Sequence, residues 1–150
     1  MTKALSGVYW KTFLRYLCMN IDATSMIIGI GCDIFEIKRM KEELTKSNGR
    51  PNQEIFTKQE IDYCSSRRYP EKHLAACFAA KEALFKSLST GKTPKMSWHD
   101  IVVHNDNTDK PYLAFSGEVK AMIDKLAIRN VLLSISHADL YAMAVVVLEG

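Results

Sequence analysis

The sequence predicts an α+β domain in which an antiparallel sheet packs against helices, one of them long and rich in alanine. Three observations predict this class. The apolar run "MIIGIG" begins at Met26. Helical periodicity dominates after this run to about residue 90, and the remainder alternates apolar clusters with polar turns. A strand, then helices, then two hairpins with a helix between them is the order of an α+β fold rather than of repeated βαβ units.

The first elements are a buried strand and an amphipathic helix. Residues 26–31 form a short apolar run with two glycines, which is typical of a buried strand. In the following segment, apolar residues recur at helical spacing, namely Ile34, Ile37, Met40 and Leu44. After the break "SNGRPN", Thr57 stands three residues before Glu60, so a capping box predicts a short helix from about Lys58.

The long helix is predicted from about Glu71 to Ser89, with Gly91 ending it. Its bulky apolar residues gather on one side, and the alanines occupy the other: Ala75, Ala76, Ala79, Ala80 and Ala83. Glu82 and Lys86 stand one turn apart where the two sides meet. Lys81 falls inside the apolar stripe, so its ammonium group must reach solvent or find a partner.

The second half of the chain reads as two hairpins separated by a helix. "HDIVVHND" and "KPYLAFSG" form the first hairpin, and "GEVKAMIDKLAI" is a short amphipathic helix. "VLLSISHA" and "LYAMAVVVLE" are two strong strand segments joined at a tight turn, Ala138-Asp139. We therefore place one domain over residues 26–150.

Residues 1–25 differ from the rest, since they are basic and hold no acidic residue before Asp22. Three interpretations stay open: a targeting segment, an amphipathic helix, or an extension upstream of a natural start at Met26. We favour an appendage of uncertain role, because the first strand begins cleanly at Met26.

Composition limits the class of protein. The chain is 47% hydrophobic and 25% charged, with a net charge of +3, which does not favour a mainly electrostatic nucleic-acid binder. Its four cysteines form no C-x-x-C pair, and we expect reduced thiols of a cytoplasmic protein. The sequence contains no run of about 18 apolar residues, so we expect no membrane span.

Three charged residues form a candidate site. Asp33 directly follows the first strand, where it can face a cleft or cap the next helix. An Asp from a strand end and a Glu from a helix, here Glu82, suffice for a Mg²⁺ ion that completes its shell with water and phosphate. Lys86 can then neutralise phosphate charge, although Glu82 and Lys86 also suit an ordinary surface pair. His137, at a strand end, is a further candidate for a phosphate contact or a hydrogen-bonded turn histidine.

These segments resemble the holo-[acyl-carrier-protein] synthase family, the small class of 4′-phosphopantetheinyl transferases. The resemblance rests on "IIGIGCDIFEIKRM", "FAAKEALFKSL", "WHDIVV" and "SISHADLYAMAVVVLE", which occur in matching order between Met26 and Gly150. It implies that the chain transfers the phosphopantetheine arm of coenzyme A to a serine of an apo acyl carrier protein. The co-product would be adenosine 3′,5′-bisphosphate, and the reaction would depend on Mg²⁺.

The resemblance also assigns roles to single residues. Asp33 and Glu82 correspond to the metal ligands, and Lys86 to the lysine near the pyrophosphate. Arg39 corresponds to the arginine that grips the acidic recognition helix of the carrier protein. With the resemblance in view, we expect Gly91 and His137 to contact the coenzyme, and the chain to form a homotrimer with active sites shared between subunits.

Three departures and one alternative accompany the resemblance. Typical members begin near Met26, so residues 1–25 have no counterpart in them. Cys77 stands where the family often has a basic residue, and "STGKTPK" replaces a more glycine-rich loop. The alternative function is a non-catalytic adaptor that binds an acidic helix through its basic first helix. The sequence does not specify the carrier's pathway, fatty-acid or polyketide synthesis, nor whether Glu82 or a metal-bound water is the base.

Overall fold

The computed structural model describes residues 26–150, so the expectations for residues 1–25 lie outside the described residues. The elements follow in this order: β1 (Ile27–Glu36), α1 (Ile37–Lys46), α2 (Lys58–Ser65), α3 (Pro70–Ser87), a 3₁₀ turn (Trp98–Asp100), β2 (Ile101–Asn105), β3 (Pro111–Phe115), α4 (Gly117–Lys125), β4 (Asn130–His137) and β5 (Tyr141–Glu149). Helices and antiparallel strands confirm the predicted α+β class.

Two antiparallel sheets form from these strands. The larger has the order β1-β5-β4, and the smaller is the hairpin β2-β3. Ala144 of β5 lies opposite Asp33 of β1 on one side and Ile135 of β4 on the other. The central strand β5 buries alternate residues on one face, Ala142, Ala144, Val146 and Leu148, as the period of two in a strand requires.

Helix α3 lies directly on the inner face of the larger sheet, and glycines permit the close approach. A Cβ atom built on Gly31 would lie 1.8 Å from the carbonyl oxygen of Ala83, and one on Gly29 would lie 2.1 Å from that of Ser87. The small alanine side chains of the helix complete this contact. The alanine side predicted from the sequence is therefore the side that packs on β1 and β5.

The bulky side of α3 packs against the other helices and the hairpin. Leu74, Leu84 and Phe85 are buried, and the Phe85 ring meets that of Trp98 edge to face at 5.3 Å between centroids. The capping box of α2 is present, because the Thr57 side chain accepts from the Glu60 amide and the Glu60 side chain accepts from the Thr57 amide. Because sheet and helices cover both sides of α3, this helix is the centre of the core.

The end of β1 differs from the prediction. The strand continues through Glu36, and its pairing with β5 extends to Glu36 opposite Tyr141. The predicted helical stripe that began at Ile34 is therefore wrong at its first member, whose side chain is 61% exposed on the outer face of the sheet. Tertiary pairing with β5 overrides the helical spacing over residues 32–36.

The outer face of the larger sheet is apolar and exposed. Ile30 and Ile34 of β1, Leu132 of β4 and Met143 of β5 are each at least 41% exposed, and all four point away from α3. No helix within residues 26–150 is long and apolar enough to cross a membrane.

Candidate active site

Asp33 lies within β1, two residues after Gly31 and on the same face, which is the face that packs against α3. Its carboxylate is only 13% exposed. The alternative that Asp33 caps the next helix is wrong, because α1 begins after Glu36 and no side-chain hydrogen bond caps it. The carboxylate therefore points to the long helix.

Glu82 and Lys86 meet Asp33 from α3. The Lys86 ammonium donates a hydrogen bond of 2.7 Å to Oδ1 of Asp33, across 53 residues of chain. Lys86 forms its salt bridge with Asp33 and none with Glu82. The arrangement is therefore a contact between β1 and α3, and the interpretation as an ordinary intrahelical surface pair is wrong.

The carboxyl groups of Asp33 and Glu82 are near enough to interact electrostatically. Partial burial raises the pKa of Glu82, and the nearby negative charge of Asp33 raises it further, while Lys86 and Lys92 oppose this. The hydrogen bond to Asp33 raises the pKa of Lys86. Because burial and a neighbouring negative charge both disfavour the ionised form of Glu82, a cation bound beside it would stabilise the carboxylate.

The residues of this crevice fit a hard divalent cation. Mg²⁺ requires oxygen ligands, keeps several waters, and is commonly held by one or two carboxylates together with substrate phosphates. Residues 26–150 contain no group of three or more His, Cys, Asp or Glu side chains placed to hold a metal. Asp33 and Glu82 would thus supply only part of a coordination shell, which suits an ion shared with a phosphate ligand.

A groove of about 700 Å³ runs between α1 and the segment 47–56. Its floor includes Phe35, two residues beyond Asp33, and Phe78, one turn before Glu82, whose rings meet edge to face with centroids 4.8 Å apart. Arg39 is exposed at its rim, with its guanidinium 5.1 Å from the Phe35 ring centroid. The groove therefore adjoins the carboxylate crevice and carries a cation at its edge.

His137 lies away from this crevice, in a second cavity of about 490 Å³. The ring of His137 meets that of His73 at 5.4 Å between centroids, and Arg67 and Cys77 line the same cavity. Burial lowers the pKa of His73, and the neighbouring His137 and Arg67 lower it further. No partner for His73 was predicted from the sequence, because the contact joins α3 to the end of β4.

The loop after α3 follows the end of the helix that carries Lys86. Gly91 lies in this loop with φ +62°, and a Cβ atom there would meet nothing within 4 Å. The positive charge of Lys92 opposes the rise in the pKa of Glu82, and the Lys92 ammonium lies 5.8 Å from the ring centroid of Trp98. The sequence pattern gave no reason to place Lys92 at the site.

For Lys81 the sequence left two outcomes open, an ammonium group in solvent or one with a partner, and the structure shows a buried partner. Its side chain is fully buried and forms a 2.8 Å ion pair with Glu60 of α2, also fully buried. Cys77, one turn earlier, is buried with its sulfur 3.8 Å from that of Cys64. The pairs join α2 to α3 on the side away from the sheet.

Comparison with known proteins identifies the family. The profile of the 4′-phosphopantetheinyl transferase superfamily matches residues 29–146. The holo-[acyl-carrier-protein] synthase of Geobacter sulfurreducens is 38% identical over 124 residues, covering 83% of this chain and 98% of that protein.

Solved structures agree with this match. The holo-[acyl-carrier-protein] synthase of Neisseria meningitidis superposes with a TM-score of 0.75 at 31% identity, covering 83% of this chain and all of that one. The Helicobacter pylori synthase, crystallised with coenzyme A, superposes with a TM-score of 0.68 at 29% identity, covering 79% and 98% of the two chains.

Proposed function

The chain belongs to the 4′-phosphopantetheinyl transferase superfamily, and on that basis we propose that it moves the 4′-phosphopantetheine arm of coenzyme A to a serine of an apo acyl carrier protein. The observation that carries the proposal is the crevice of Asp33, Glu82 and Lys86, which suits a magnesium-bound pyrophosphate. Adenosine 3′,5′-bisphosphate is the co-product that this cleavage of coenzyme A leaves.

The chain's own residues divide the work of the reaction. Asp33 and Glu82 would hold Mg²⁺, which when bound offsets the negative charge around the attacked phosphorus. Lys86, released from Asp33, stabilises the charge that develops on the bridging oxygen of the pyrophosphate. Glu82 has a raised pKa, which suits a group that accepts the serine proton directly or through water.

Other residues are proposed to bind the two substrates. Gly91 and Lys92 lie after the helix that carries Lys86 and can approach the coenzyme's phosphates. His137 is proposed to contact the coenzyme from a neighbouring subunit, since it lines a cavity separate from the carboxylate crevice of its own chain. Arg39, exposed at the groove rim beside the crevice, is proposed to hold the acidic helix of the carrier.

A homotrimer with shared sites is proposed from the outer sheet face. Exposed contiguous apolar patches of this kind mark interaction surfaces, and monomers seldom keep them open to water. Ile30, Ile34 and Met143 lie on the face opposite α3, and residues 26–150 leave them uncovered. Packing between copies of the chain would bury them and bring His137 of one subunit near the crevice of another.

Thermal unfolding with added coenzyme A tests the proposal against a non-catalytic adaptor. A ligand that binds the native state raises the apparent stability, so coenzyme A with Mg²⁺ should raise the Tm of the wild-type chain. The Lys86→Ala variant is the control and should show a smaller rise. An unchanged Tm for the wild type at millimolar coenzyme A would favour the adaptor.

A further inference from the structure

The side chain of Lys81 has a complete set of partners inside the core. Its ammonium group donates to Oε2 of Glu60 at 2.8 Å, to the Ile55 carbonyl at 2.8 Å and to the Trp98 carbonyl at 3.0 Å. An ammonium group has three donors, so none is left over for a substrate. Any function of Lys81 in the reaction must therefore act through other residues.

Glu60 extends the network to further parts of the chain. Its Oε1 accepts from the Val103 amide at 2.9 Å, and its Oε2 accepts from the amide and the hydroxyl of Thr57 at 2.9 and 3.0 Å. The pair thus fixes α3 to α2, to the middle of β2 and to the segments at Ile55 and Trp98. Apolar residues often stabilise a core as well as a buried ion pair does, so stability alone does not explain it.

The opposite side of α3 supplies little to fix its rotation. Bulky side chains set the orientation of a packed helix when ridges of one surface enter grooves of the other. Against β1 the helix presents the backbone of Ser87 to Gly29 and the backbone of Ala83 to Gly31, and this contact sets a short distance without interlocking side chains. A helix held only by that contact can turn about its axis at small cost.

We infer that Lys81 is a positioning residue for the transfer reaction: its buried contacts fix the rotation of α3 and so aim Glu82 and Lys86 at Asp33. The inference rests on the proposed function. Glu82 is the next residue in the chain, about 100° around the helix from Lys81, so a rotation that moves one moves the other. A displacement of about 1 Å in a catalytic group can lower a rate by about 10²-fold.

The test compares Lys81→Met with Leu84→Ala, a change at another fully buried position of the same helix. We expect both variants to lose thermal stability, since each disturbs the core. Lys81→Met should also lower kcat by at least about 10-fold relative to Leu84→Ala, leave the KM for the carrier within about threefold, and weaken coenzyme A binding measured by calorimetry.

Equal kcat values and equal coenzyme A affinities in the two variants would show that Lys81 supports only the fold, and would overturn the inference. If Lys81→Met does not fold, Glu60→Gln replaces it, because the amide keeps the shape of the carboxylate. A folded Glu60→Gln chain with wild-type kcat and coenzyme A affinity overturns the inference, and lowered values support it. A wild-type chain that transfers nothing overturns the proposed function, while the calorimetric comparison still decides the role of Lys81.

Discussion

At the scale of single residues, the central feature is a lysine that bonds one of two neighbouring carboxylates. Lys86 holds Asp33 at 2.7 Å, and the charge of Asp33 raises the pKa of Glu82. A cation between these carboxylates would remove their mutual repulsion and free Lys86 for a phosphate. The sequence predicted all three residues, because Asp33 and the pair Glu82 and Lys86 each stood out locally.

Removal of either carboxylate should abolish most of the transfer activity without unfolding the chain. Asp33→Ala and Glu82→Ala should each lower kcat by about 10²–10³-fold, the range for loss of one electrostatic group that stabilises a transition state. The remaining rate should lose its dependence on Mg²⁺. Initial rates over a magnesium titration measure both effects, with Glu54→Ala at an exposed position as control. Normal magnesium-dependent turnover in either variant would refute the metal assignment.

The raised pKa of Glu82 predicts a pH-dependent effect on stability. The folded chain holds the proton of Glu82 more tightly than the unfolded chain, so the stability that this carboxyl group contributes is present at low pH and is lost as pH rises through the folded pKa. Glu82→Gln should therefore raise the Tm above wild type at neutral pH, and the difference should vanish below the ordinary Glu value of about 4.3.

Thermal scans without metal at several pH values check this expectation. Glu54→Gln, at an exposed carboxylate, is the matched control and should leave the Tm unchanged across the range. A Glu82→Gln variant that is less stable than wild type at neutral pH would contradict the assigned electrostatics of the crevice.

The sequence pattern did not predict side-chain contacts between residues that are far apart in the chain. The pattern showed that Lys81 needed a partner, but Glu60 lies 21 residues earlier and already served a visible local role in the capping box. His73 and His137, 64 residues apart, likewise meet only because α3 crosses the end of β4. Nothing periodic in a sequence indicates such a contact.

At the scale of elements, the contact between β1 and α3 positions the site. The sequence predicted both elements and the alanine side of the helix. It placed the end of β1 too early, because Ile34, Ile37, Met40 and Leu44 match helical spacing even though Ile34 belongs to the strand. Pairing with β5 decides that boundary, and the partner strand lies more than 100 residues further along the chain.

Addition of a single methyl group at Gly31 should disrupt this contact. In Gly31→Ala the Cβ atom would lie 1.8 Å from the Ala83 carbonyl oxygen, which is backbone and cannot turn aside. We expect a loss of at least about 2 kcal/mol of unfolding free energy, the middle of the overpacking range, and a fall in kcat as α3 moves away from Asp33.

Denaturant unfolding and steady-state kinetics measure these effects. Gly49→Ala is the control, because that position has open space around it. The alanine would there be strained only by its backbone conformation, at φ +78°. Equal losses in the two variants would contradict the close packing of β1 on α3.

Helix α1 is the element that we propose docks the carrier. Arg39→Glu reverses a charge at the rim of the groove, so the KM for the carrier should rise by at least about 10-fold through lost electrostatic attraction. The KM for coenzyme A should change little. Lys46→Glu, an equal charge change at the exposed end of the same helix, should affect the carrier KM far less. Similar increases in both KM values for Arg39→Glu would argue against docking at this helix.

At the scale of the whole molecule, the proposed assembly depends on the apolar outer face of the larger sheet, which residues 26–150 leave uncovered. Ile34→Glu places a charge on that face and should convert the proposed trimer to monomers, seen as a threefold lower mass in sedimentation equilibrium. Leu126→Glu introduces the same charge at an exposed apolar residue of the turn after α4 and should leave the mass unchanged. A wild-type chain that sediments as a monomer would contradict the proposed assembly.

The most direct test of the whole account is the mass of an apo acyl carrier protein after incubation with this chain, coenzyme A and Mg²⁺. We predict that the carrier gains one phosphopantetheine group on a serine, and that chelation of the metal or Glu82→Ala prevents the gain. A carrier whose mass stays unchanged under these conditions, or rises equally after chelation, would contradict magnesium-dependent transfer at Asp33 and Glu82.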